Sequence, residues 1–154
     1  MKQLNLPQYS YKIRNEPDGE KIFDPVRAKY VALTPEEWVR QHFLNYMVTY
    51  LGYAPGLIKV EASFRLNSML RRADILVYSR NGTPALIVEC KAPDVKIDQQ
   101  VFDQIINYNF NYGVKYLIVT NGLKHYAAEV DTGLKKFSFL EKMPEYKDIN
   151  QLMI

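Results

Sequence analysis

The chain has little cysteine and little histidine. Cys90 is the single cysteine of 154 residues, so no internal disulfide can form. That fits a reducing compartment, the cytoplasm. The two histidines, His42 and His125, supply no Cys/His spacing for zinc. No run approaches the roughly 20 apolar residues that would span a bilayer. The opening "MKQLNLPQYSYKIRNEPDGEK" carries no apolar stretch behind its lysine, so no secretory signal is expected. A GxxxxGK[ST] phosphate loop and a GxSxG elbow are both missing, which argues against P-loop ATP hydrolysis and serine esterase chemistry. Repeats and low-complexity segments are missing too.

What remains is ordinary globular composition, 47% hydrophobic and 24% charged. A net charge of +3 is compatible with a polyanionic partner without demanding one. The length suits one domain with one core. The expected layout is a single unit over residues 1–154: an N-terminal flap at 1–33, a core at 34–122, and edge strands with a C-terminal tail at 123–154.

Within the flap, "NEPDGEK" (15–21) reads as a turn joining two short strands, "YSYKIR" and "IFDPVRAKYVAL". "TPEEWVRQHFLNYMVTYLG" (34–52) is the clearest helix. Thr34 can cap it, Pro35 suits its first position, and Gly52 can end it. Three strand candidates follow at 57–66, 73–79 and 85–92, the last two joined by an "NG" hairpin turn. A second helix is expected over 98–113, with Asp98 as a possible cap and Val101, Ile105, Tyr108 and Tyr112 at helical spacing. Then come a buried strand at 114–122 and an edge hairpin from "KHYAAEVD" and "LKKFSFLEK". The order helix, three strands, helix, strand implies a mixed α/β sheet with helices packed on it.

The strand "ALIVECKA" contains an anomaly. Four apolar residues are followed by Glu89 and Lys91, and burying a charge costs several kcal/mol unless it is paired or binds a metal. Residues two apart on a strand share a face, so Glu89 and Lys91 point the same way. Counting outward from the "NG" turn, Asp74 of the preceding strand lies near them. Two neighbouring carboxylates repel and call for a cation. Oxygen ligands with water suit Mg²⁺ or Mn²⁺, which can activate water and stabilise charge on a phosphodiester. The lysine could steady the attacking hydroxide or the phosphate, or act as base.

Asp74 followed by Glu89-Cys90-Lys91 resembles the D…(D/E)xK signature of the PD-(D/E)xK nucleases, although Ala73 stands before the aspartate in place of proline. Gln104 and Tyr108 in "QIINY" resemble the QxxxY motif of RecB-type and type I restriction motor-subunit nuclease domains. Together with "FDPVRAKYVALTPEEWVRQ", "RRADILVY", "IVECKAP" and "VTNG", these segments look like the N-terminal domain of the type I restriction R subunit, in a short form. The likeness covers roughly residues 20–125. It implies a restriction-endonuclease-like α-β-β-β-α-β core with extra edge strands, cleaving DNA with Mg²⁺ (Mn²⁺ as substitute). By the same resemblance, Asp74 and Glu89 bind the metal, with the Cys90 backbone carbonyl as a further ligand. Lys91 is the catalytic lysine. Glu37 is the accessory acid, with its neighbour Glu36 as the alternative. Gln104 and Tyr108 position the site or touch the DNA backbone. Arg71, Arg72 and Lys96 flank the site and are candidates for holding phosphates.

Plainer readings exist for each residue. Glu89 and Lys91 could form a solvated strand end, and Glu37 could be only the capping-box partner of Thr34. Cys90 should point into the core as a structural thiol. A rival reading of the whole chain is a DNA-binding or interaction module of a restriction or phage-defence complex, catalytically weak, docking through the tyrosine-rich segment 107–112. Expected partners are DNA and either a second copy or other restriction-system subunits, with no membrane.

Overall fold

The computed structural model describes residues 1–66, 68–110 and 113–150. Three short strands come first: β1 (Ile13–Glu16), β2 (Gly19–Asp24) and β3 (Lys29–Ala32), an antiparallel sheet in that order. Glu16 pairs with Gly19, so Pro17 and Asp18 form the tight turn expected in "NEPDGEK". The segment "IFDPVRAKYVAL" is two strands rather than one. The Asp24 carboxylate accepts the backbone N–H groups of Val26 (2.8 Å) and Arg27 (2.9 Å) and reverses the chain between them.

Helix α1 (Pro35–Tyr50) starts as its sequence dictates, with Thr34 Oγ1 accepting the Glu37 N–H at 3.0 Å. The main sheet then builds from β4 (Ile58–Leu66), β5 (Met69–Tyr78), β6 (Pro84–Cys90), β7 (Tyr116–Thr120), β8 (His125–Asp131) and β9 (Lys136–Phe139), adjacent in that order. Among the described strands only β6 and β7 run parallel. A parallel pair needs a long crossover, which α2 (Gln99–Phe110) supplies. Helix α3 (Tyr146–Asn150) follows the sheet. Asn111 and Tyr112, the end of the second expected helix and of the segment 107–112, lie outside the described residues.

The two long helices cover opposite faces. Val39, Phe43 and Met47 of α1 share one core cluster with Ile75, Leu86, Val88, Cys90 and Ile118. Phe102 and Ile106 of α2 share the other with Leu76, Ile87, Leu117 and Val119. Burial on both faces explains the unbroken apolar run 85–88 in β6. The N-terminal segment joins the α1-side core through Leu4 and Ile22. Gly122 makes this possible: it has φ +84, and a Cβ there would come within 2.7 Å of the Leu4 side chain.

One distortion bears directly on the site. Along β4 the register passes from Val60↔Ile75 to Ala62↔Ala73 around Glu61, a non-glycine residue at φ 50. Val60 belongs to the α1-side cluster and Ala62 to the α2-side cluster, although residues two apart should share a face. Such left-handed strain costs of order 1–3 kcal/mol and persists only where surroundings enforce it. It lies across the sheet from Asp74.

Candidate active site

Ile75 of β5 pairs with Val88 of β6, so the next residues outward, Asp74 and Glu89, stand level at the end of the ladder. Their carboxyl groups stand close enough for the charge on Asp74 to disfavour ionisation of Glu89. Burial pushes the Glu89 carboxyl up to about 7, and the Asp74 charge adds to that rise; Arg71 and Lys91 oppose it. Two carboxyls so placed share a proton or require a cation. Asp74 is held from both sides. Its Oδ2 accepts the Cys90 N–H at 2.8 Å, and its Oδ1 accepts from Arg40 at 3.2 Å.

Lys91 is the first residue beyond β6 and half-buried. Its N–H donates to the Thr120 carbonyl (2.8 Å), which keeps the backbone on the line of β6 and β7. Its ammonium is close enough to Glu89 and Glu36 to favour ionisation of both. The expected convergence of Asp74, Glu89 and Lys91 at one sheet end is therefore what the chain builds.

The two glutamates that open α1 are divided between tasks. Glu37, the expected accessory acid, faces a buried ion network. It accepts from Arg27 at 3.0 Å, Arg40 at 2.9 Å and Gln41 at 3.1 Å. Arg27 and Gln41 in turn reach Asp24 at 2.6 and 2.9 Å. Glu36 is the one that senses the site. Burial raises its carboxyl, the charge of Asp74 raises it further, and Arg40 and Lys91 pull it back. Adjacent helical residues point about 100° apart, so one can face the sheet end while the other faces inward.

Tyr108 reaches the carboxylates through an intermediary. The Arg71 guanidinium lies 4.1 Å from the Tyr108 ring centroid, and its Nη2 is 3.9 Å from Glu89 Oε1. Arg71 is buried, whereas Tyr108 is half-exposed on α2. Gln104 lies one turn earlier on α2 and is exposed. Arg72 is exposed, with its guanidinium 3.5 Å from Glu61. Lys96 is exposed in the loop between β6 and α2. Cys90 is buried, and burial pushes its thiol well up, so it is no nucleophile at neutral pH. Its contribution at Asp74 is a backbone N–H.

Arg40 and Arg27 escaped the reading of the sequence. The signal for Arg40 was available: it follows Glu36 and Glu37 by four and three residues, helical contact spacing.

Among the described residues, no group of three or more His, Cys, Asp or Glu side chains forms a metal-holding cluster. The donor set is a pair of carboxyls. Such a pair fits a cation that draws its other ligands from water and substrate, the habit of Mg²⁺.

A family model described as the type I restriction enzyme R protein N terminus matches residues 35–144. No curated protein matches the chain. Among solved structures, a fragment of a candidate HsdR subunit of a type I restriction enzyme from Vibrio vulnificus YJ016 is similar, with a TM-score of 0.54 and 20% sequence identity. The match covers 79% of this chain and 25% of that one, so this chain spans about a quarter of its length.

Proposed function

Because the chain belongs to the family of type I restriction enzyme R protein N termini, we propose that it is a PD-(D/E)xK-type nuclease module that hydrolyses DNA phosphodiester bonds with Mg²⁺. The observation that carries the reading is the placing of Asp74 and Glu89 level with each other at one sheet end, with Lys91 and Glu36 within electrostatic reach. A surface ion pair would not raise a glutamate to about 7. Burial does so first, and the Asp74 charge beside Glu89 adds to the rise and creates the need for a cation.

Asp74 and Glu89 would hold the ion, with the Cys90 carbonyl close by. When bound, a divalent cation there supplies a lowered water pKa and charge stabilisation at the phosphate. Lys91 places an ammonium beside the same phosphate and offsets the negative charge that develops on its oxygens. Glu36, half-exposed and within electrostatic reach of Asp74, would orient a water by hydrogen bonding. Arg71, stacked on Tyr108, steadies Glu89. Water attacks phosphorus directly and loses a proton to solvent, the bond to one sugar oxygen breaks and that oxygen takes up a proton from solvent, and no covalent enzyme intermediate forms.

In this reading the partners are DNA and other subunits of a restriction system, or a second copy where both strands are cut. No described helix is long and apolar enough to cross a membrane, and we place the work in the cytoplasm.

The test is conversion of supercoiled plasmid to nicked circles with Mg²⁺. The parent should nick. Asp74→Ala and Lys91→Ala should each lose about a hundredfold or more, and chelation should abolish the reaction. Plasmid binding without nicking, unaltered by Asp74→Ala, would refute the nuclease reading and favour a binding module.

A further inference from the structure

Arg40 lies among four carboxylates, and its side chain is only 3% exposed. It contacts Glu37 at 2.9 Å, Asp74 at 3.2 Å, Glu61 at 3.3 Å and Glu36 at 3.4 Å. The distribution of partners is uneven. Glu37 also pairs with Arg27 at 3.0 Å. Glu61 also pairs with Arg27 at 3.3 Å and Arg72 at 3.5 Å. For Asp74, Arg40 is the one ion-pair partner recorded among the described residues. Among the described residues, Glu37 and Glu61 keep an ion-pair partner without Arg40, whereas Asp74 and the more exposed Glu36 keep none that is recorded.

From this geometry we infer that Arg40 is a positioning residue that also sets the affinity of the Asp74–Glu89 pair for a divalent cation. The inference rests on the metal reading above and deepens it. A fixed guanidinium at Asp74 Oδ1 repels a dication bound to the same carboxylate, and in a half-buried site that repulsion is weakly screened. The same contact helps orient Asp74. Orientation does not depend on Arg40 alone, because the Cys90 N–H holds Oδ2 at 2.8 Å. Removing the guanidinium charge should therefore tighten cation binding rather than abolish it. Arg40 is too buried to meet DNA, so substrate affinity should not follow.

The experiment titrates the intact chain with Mn²⁺, by water-proton relaxation or calorimetry, for the parent, Arg40→Gln, Arg40→Lys and Asp74→Asn. Arg40→Gln should bind Mn²⁺ roughly tenfold more tightly. Arg40→Lys, which keeps the charge, should bind within about twofold of the parent. In DNA cleavage Arg40→Gln should lower kcat and leave KM for DNA unchanged. Mn²⁺ binding by the parent that Arg40→Gln leaves equal or weaker overturns the role of Arg40 alone. If the parent binds no Mn²⁺, or Asp74→Asn binds it equally well, the metal reading falls and this inference with it. Should Arg40→Gln fail to fold, Arg40→Met in its place and Arg40→Lys decide between the same outcomes.

Discussion

At neutral pH Glu89 is pulled two ways. Burial and the neighbouring Asp74 charge favour its neutral form, while Arg71 and Lys91 favour the carboxylate. The balance has a thermodynamic consequence. In the unfolded chain its pKa returns to about 4.5, against about 7 in the folded one. Between those values the folded state holds more proton than the unfolded state, so stability falls as pH rises through that window. In urea unfolding with chelator present, the parent should be more stable at pH 5.5 than at pH 8. Glu89→Gln, which cannot ionise, should flatten that difference. Parallel pH dependences would show that Glu89 does not carry it. Residue by residue, the meeting of Asp74, Glu89 and Lys91 at one sheet end could be read from the sequence, because the hairpin turn fixes which residues stand opposite each other. The choice between Glu36 and Glu37 could not. It depends on the rotation of α1 about its own axis, which Arg27 and Gln41 settle by holding Glu37.

Among the elements, α1 does most to place the site, since Glu36 and Arg40 both project from its first turns. Its start is fixed by Thr34, whose hydroxyl accepts the Glu37 N–H. The Glu37 side chain does not return to complete a capping box; it is held by Arg27, Arg40 and Gln41. Thr34→Ala should cost about 1 kcal/mol, read as a lower urea midpoint, and Thr34→Ser should recover it. An unchanged midpoint in Thr34→Ala would show that tertiary contacts alone hold the helix start. The cap, the "NG" turn and the all-apolar strands announced their elements because local rules suffice there. Elements decided by side chains or distant partners were harder to see. The break between β2 and β3 depends on the Asp24 carboxylate capping a turn. β5 begins at Met69, earlier than its β-rich stretch suggests, because it pairs with β4 there and meets β6 only from Ile75. Helix α3 is a five-residue segment with no visible period, tied down by the Tyr146 N–H to the Leu51 carbonyl and by Tyr146 packing on Tyr53.

At the scale of the molecule, two helices cover opposite faces of one mixed sheet, and the site opens where that sheet frays. β5 leaves β6 beyond Ile75, β6 ends at Cys90, and Glu61 distorts β4 opposite Asp74. Asp74 and Glu89 each keep about a fifth of their side chain accessible there. The order of elements was legible because helical and strand periods differ. The fraying was not, since it depends on how three strands end relative to one another. The most direct test of the site is a crystal soaked in Mn²⁺ and measured at the manganese edge. An anomalous peak between the Asp74 and Glu89 carboxyls is the predicted result. No peak there at saturating Mn²⁺, or a peak that persists in Asp74→Ala, would contradict it.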